Sequence, residues 1–115
     1  AGLDCIFCKI VRREIPAAVV LEDEHVLAFK DANPLAPVHY LVVPKRHVAR
    51  VADLGPTDAT LAGRLVLAAN EVARSQGLTD RGYRLVVNDG REAGQTVFHL
   101  HVHVMGGRAM GWPPG

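Results

Sequence analysis

The chain has 115 residues, 49% of them apolar and 22% charged, with 13 lysines and arginines against 12 aspartates and glutamates. That length suits a single domain over residues 1–115, one able to bury roughly two-thirds of the surface its unfolded form exposes. Balanced charge and 5% aromatic residues exclude a broad basic patch or a stacking platform for nucleic acid, and no apolar run approaches the ~20 residues that span a membrane.

Asp4 is the expected N-cap of a short helix over Cys5 to Arg12, with Cys5 and Cys8 on one face and Ile6, Phe7, Ile10 and Val11 on the other. Pro16 closes it. Val19 to Glu22 and His25 to Lys30 read as the arms of a hairpin around Asp23-Glu24. Two prolines make Asp31 to Pro37 a loop. His39 to Pro44 is predicted as a buried strand, and His47 to Leu54 as a helical turn or loop. Asp58 to Ser75 is the clearest helix: Leu61, Leu65, Ala68, Ala69 and Val72 recur at helical spacing, Thr57 is its predicted cap and Gly77 its end. Tyr83 to Asn88 and Val97 to Met105 are the remaining predicted strands, separated by a glycine-bearing loop over Asp89 to Thr96. A Gly- and Pro-rich tail follows from Gly106 to Gly115. No βαβ series is present, so the expected class is α+β, an antiparallel sheet with helices on one face.

No basic segment followed by an apolar one opens the chain, so no signal peptide is expected. Cys5 and Cys8, a lone C-x-x-C pair, make no disulfide framework. They point to a reducing, cytoplasmic setting.

The chemistry gathers at His99-Leu100-His101-Val102-His103. On a strand, residues two apart point the same way, so the three histidines share one face and Leu100, Val102 and Val104 the other. Three readings stand for such a face: tolerated surface residues, a His-x-His metal site, or nucleophilic and acid–base catalysis by neutral imidazole. The preceding Asn88–Thr96 loop favours the third. Its Gly94 permits backbone N–H groups to turn toward an anion, while Thr96 adds a hydroxyl and Asn88 an amide.

His99 to Met105 matches the His-φ-His-φ-His-φ-φ signature, and the chain here resembles the histidine-triad family. Phe7-Cys8-Lys9-Ile10, Ile15-Pro16-Ala17, Leu27 to Asp31, His39 to Lys45, Tyr83 to Asn88 and Gly94-Gln95-Thr96 look like family segments. The tail through Trp112-Pro113-Pro114-Gly115 is similar to the Hint branch, the purine nucleoside phosphoramidases. The resemblance implies a five-stranded antiparallel sheet with one long helix and a short N-terminal helix, two such sheets joined in a homodimer, and the tail near the dimer interface. It implies hydrolysis of the P–N bond of nucleoside 5′-phosphoramidates through a covalent nucleotidyl-His101, with purine nucleotides as ligands and no organic cofactor. His103 and His39 would hold His101 in its reactive tautomer. Asp31 would take the ribose hydroxyls beside Ala32, and Ile6, Phe7, Ile10 and Phe29 would line the base pocket. Asn88, Gly94, Gln95 and Thr96 would cradle the phosphate. Thr96, which would also take part in catalysis, stands where the branch often has serine. Trp112 would reach the partner's site. Two other functions remain open, a dinucleoside polyphosphate hydrolase and a nucleotide-binding regulatory module with little turnover.

For the cysteine pair, two small buried residues at helical spacing, a redox pair and a metal site are the alternatives. The wider superfamily implies a structural zinc held by Cys5, Cys8, His47 and His99.

Overall fold

The computed structural model describes residues 5–115. Its elements run α1 (Ile6–Val11), β1 (Val19–Glu22), β2 (Val26–Lys30), β3 (Val38–Pro44), α2 (Ala59–Ser75), β4 (Tyr83–Val86) and β5 (Val102–Gly106). The strands form one antiparallel sheet in the order β1-β2-β3-β5-β4. The expected α+β class, five-stranded sheet, long helix and short N-terminal helix are all present. Among the described residues no helix is long and apolar enough to cross a membrane.

The sheet is covered on both faces, which is why β2 is buried without alternation. One face packs on α2: Val26, Ala28, Val42, Val102 and Val104 meet Leu65, Ala69 and Val72. The other carries Leu27, Phe29, Leu41 and Val43 and is covered by Phe7 and Ile10 of α1. A six-residue helix hides only part of that second face, so a cleft remains beside it.

Helix α2 ends as its composition predicts. Gly77 adopts φ +73°, its N–H donates to the Arg74 carbonyl and the Leu78 N–H donates to the Ala73 carbonyl, the Schellman pattern. At the other end Thr57 is not the cap. A 3₁₀ turn over Pro56–Asp58 precedes the helix, and Asp58 accepts from the Gly55 N–H while pairing with Arg46.

Several elements begin or end a residue away from expectation, and three differences bear on the site. Asp4 lies outside the described residues, and Cys5 is the N-cap of α1, its sulfur accepting from the Cys8 N–H. Strand β4 stops at Val86, the partner of His103. The final strand begins at Val102 rather than Val97. Beyond Val42 and Val102 the register would set Val43 opposite His101 and then Pro44 opposite Leu100, but proline has no N–H to offer a ladder. Leu100 N–H donates instead to the Val48 carbonyl at 2.6 Å, and the Pro44 carbonyl accepts from the His99 ring at 2.8 Å. The predicted phase nevertheless survives, with Leu100, Val102 and Val104 in the α2-side core.

Leu65, 3% exposed, packs in the α2-side core, on the face away from the cleft. Leu65→Ala is expected to cost about 2–5 kcal/mol of unfolding free energy, measured by urea titration.

Candidate active site and metal cluster

The histidines do not form a solvated face. His99 and His101 are buried, and Phe7 of α1 presents an edge-on contact to each, with ring centroids 5.9 and 5.1 Å apart. His101, with His103, lines a cleft of about 670 Å³ beside α1.

Hydrogen-bond partners fix each imidazole's proton. The His99 carbonyl, which can only accept, lies 2.7 Å from His101 Nδ1. His101 therefore carries its proton on Nδ1 and leaves Nε2 as a lone pair. The Leu35 N–H donates to His39 Nδ1 at 3.0 Å, which puts the proton of neutral His39 on Nε2. That N–H donates to His103 Nδ1 at 2.9 Å, with Asp31 Oδ2 3.3 Å away. His103 in turn presents Nε2–H. The Asp31, His39 and His103 donors lie close enough together to suggest a cation site. The Leu35 bond excludes it, because His39 has no second lone pair to give a metal.

Burial pushes His39 below the ordinary histidine range, against the opposing pull of Asp31. Burial, with His101 and His39 as neighbours, pushes His103 down to about 4. Both stay neutral at pH 7.

The cleft is lined by Ile6, Phe7, Ile10, Phe29, Asp31, Ala32, Thr96, His101 and His103, nine of the residues named from sequence. Ile15, Pro16, Ala17 and Leu41 line it as well and were missed. Leu41 stands opposite Phe29 in the register, a neighbour that only the sheet pairing reveals.

Four of the named residues lie elsewhere. Asn88 borders a second cleft, between β4 and the tail. Gly94 adopts φ +93° with its N–H donated to the Arg91 carbonyl. Gln95 is buried away from the cleft. Trp112 is 82% exposed, with the Arg84 guanidinium 5.9 Å from its ring. His39 touches His103 but holds no bond to His101; the tautomer of His101 is set by the His99 carbonyl.

Cys5, Cys8, His47 and His99 converge as a second cluster. His99 Nδ1 lies 3.3 Å from Cys5 Sγ, 3.5 Å from Cys8 Sγ and 3.2 Å from His47 Nδ1, and His47 Nδ1 is 3.2 Å from Cys8 Sγ. A tetrahedral zinc with these ligands has edges of about 3.3–3.8 Å, so the donors fit one. The donor chemistry agrees. His99 Nε2–H is committed to the Pro44 carbonyl, leaving a lone pair at Nδ1 as in metal-bound histidines. Burial and the adjacent Cys5 raise the Cys8 thiol, a penalty that a bound cation reverses.

The HIT domain model matches residues 12–110. The chain belongs to the HIT family. It is 56% identical over 112 residues to an uncharacterized HIT-like protein of Synechocystis sp., covering 97% of each. A solved HIT family hydrolase from Legionella pneumophila superposes with TM-score 0.95 at 47% identity, over 97% of this chain and 100% of that one. A second, from Clostridium thermocellum, gives 0.92 at 50% identity over 95% of each. The triad, α1 and both clusters of this HIT domain thus sit on a backbone shared with proteins named hydrolases.

The depressed histidines set an acid limit. Between pH ~6.5 and ~4 an unfolded chain takes up protons that folded His39 and His103 refuse, so stability falls as pH drops through that window. The urea midpoint is expected to be lower at pH 5 than at pH 7, with a smaller difference in His103→Asn. An equal or higher midpoint at pH 5 contradicts the buried neutral pair.

Proposed function

We propose that the protein is a nucleotidyl hydrolase of the Hint type, cleaving the P–N bond of nucleoside 5′-phosphoramidates. The observation that carries this reading is the His101 ring, held through Nδ1–H by the His99 carbonyl and lining a largely apolar cleft that Asp31 also lines. The names of the similar hydrolase structures support hydrolysis in general, and the Trp112–Gly115 tail favours the phosphoramidase over a dinucleoside polyphosphate hydrolase.

In this reading the base lies against Ile6, Phe7, Ile10 and Phe29, and Asp31 accepts from the ribose hydroxyls. His101 Nε2 attacks the α-phosphorus; the N–P bond forms as the bond to the amine breaks. The bound Nδ1–H stabilises the resulting imidazolium through the His99 carbonyl, a dipole already oriented before reaction. His103 Nε2–H donates to a phosphoryl oxygen, and its low pKa keeps it neutral. Thr96, on the cleft rim, passes its hydroxyl proton to the departing amine and regains one from water. Water then attacks the phosphorus on the same side as the departed amine, freeing His101 and releasing the nucleoside monophosphate.

A structural zinc on Cys5, Cys8, His47 and His99 would pin α1, and with it three pocket residues, to the sheet. It would lie apart from Nε2 of His101 and take no part in the reaction. A homodimer fits the unpaired outer edge of β4 and the exposed indole of Trp112, which a partner subunit would cover.

Wild type is expected to convert adenosine 5′-phosphoramidate to AMP and ammonia. His101→Ala should lose about a thousandfold or more in kcat while binding AMP within a few fold. Hydrolysis of diadenosine polyphosphate alone favours the second enzyme reading; AMP binding without either hydrolysis favours the regulatory module. Elemental analysis is expected to find one zinc per chain. Its removal by chelation should lower Tm and weaken AMP binding together. A metal-free protein with unchanged Tm overturns the zinc assignment.

A further inference from the structure

One buried polar side chain is not used by the chemistry above. Gln95 is 4% exposed, and both amide protons and the carbonyl oxygen of its side chain are engaged. Oε1 accepts from the Gly90 N–H at 2.8 Å, while Nε2 donates to the Ala49 carbonyl at 2.8 Å and the Val97 carbonyl at 3.1 Å. The amide orientation has no alternative, since the reversed amide would set its oxygen against two carbonyls and its NH₂ against an N–H. The main chain of Gln95 closes the same ring, with its N–H donating to the Gly90 carbonyl. Gly90, at φ +88°, is therefore gripped at both N–H and C=O by one residue.

The ring joins two segments of the site. Ala49 belongs to the segment whose His47 enters the four-donor cluster and whose Val48 carbonyl receives the Leu100 N–H, between His99 and His101. On the other side, Val97 and Thr96 line the cleft. Arg50 and the Ala52 N–H fasten the same loop through Asp89.

We infer that Gln95 is a positioning residue for nucleotidyl transfer, a clamp that fixes Thr96 and the 88–97 loop relative to the histidine segment, and that it does not touch the phosphate. A phosphate contact would require Gln95 to leave three backbone groups unpaired, at about 1–3 kcal/mol for each one left buried. The inference rests on the functional reading above, because the reacting group that Gln95 positions is defined there.

Two variants and one wild-type measurement test it. Gln95→Met removes the clamp at similar volume. It is expected to lower kcat for adenosine 5′-phosphoramidate about tenfold, to leave adenosine affinity within twofold, and to speed Gly90 amide exchange at least tenfold in the ligand-free protein. Gln95→Glu keeps the acceptor for Gly90 but sets an oxygen against two carbonyls. Protonating that buried carboxyl returns one donor, so kcat relative to wild type at the same pH should climb as pH falls. A pH-independent ratio overturns the clamp. Should Gln95→Met fail to fold, wild type still decides. The chain has only one other glutamine, Gln76, whose exposed amide makes a single 3.5 Å bond and serves as an internal standard for NMR exchange. Gln95 side-chain protons should exchange at least tenfold more slowly than those of Gln76 without nucleotide, and AMP should leave them unchanged. Protection that appears only with AMP identifies a direct phosphate contact and refutes the inference. Failure of wild type to bind or hydrolyse any nucleotide refutes the functional reading instead, and the ligand-free exchange then reports on the clamp alone.

Discussion

Three bonds of His99 hold the site together. Its Nε2–H is spent on the Pro44 carbonyl, its Nδ1 faces Cys5, Cys8 and His47, and its own carbonyl receives the His101 Nδ1–H. The residue that anchors the donor cluster is thus the one that decides which nitrogen of His101 is free. Phe7, lying between Cys5 and Cys8 in sequence, touches both His99 and His101 edge-on. Any displacement of α1 reaches the candidate nucleophile through one ring.

The sheet makes this arrangement affordable. With α2 packed on one face to form the larger core, the opposite face can remain partly open without losing it. What covers it is a six-residue helix, too short to be stable by itself. Packing of Phe7 and Ile10 and the convergence of the cysteines hold that helix in place. The cleft is the portion α1 leaves uncovered, which explains why its floor is sheet core and its wall is helix. Burial keeps His39 and His103 beside it neutral at pH 7.

Much of this was legible in the sequence. The alternation at His99–Val104 placed Leu100, Val102 and Val104 in the α2-side core, α2 was readable from its apolar spacing and Gly77, and nine residues named from the sequence line the cleft. The misreadings share a cause. Pro44 cuts the ladder short of His99, but nothing local to the triad announces it. The resemblance gave His103 and His39 together as the holders of the His101 tautomer; in the structure His39 bonds His103 and the His99 carbonyl meets His101 Nδ1, and the Leu35 N–H and His99 carbonyl carry no side-chain signature. The resemblance alone put Gln95 at the phosphate, whereas burial gives its amide three backbone partners. Trp112 lies exposed on a single chain, and its place depends on what covers it.

The central claim is that the lone pair on His101 Nε2, set by the His99 carbonyl, becomes bonded to phosphorus during turnover. Rapid quench of the protein with excess adenosine 5′-phosphoramidate at alkaline pH, followed by peptide mass spectrometry, tests it most directly. The account predicts one adenylyl group per active site, carried on His101 and formed and lost at rates compatible with kcat. Full turnover with His101 unmodified, or an adenylyl group carried instead on His103 or Thr96, would contradict it.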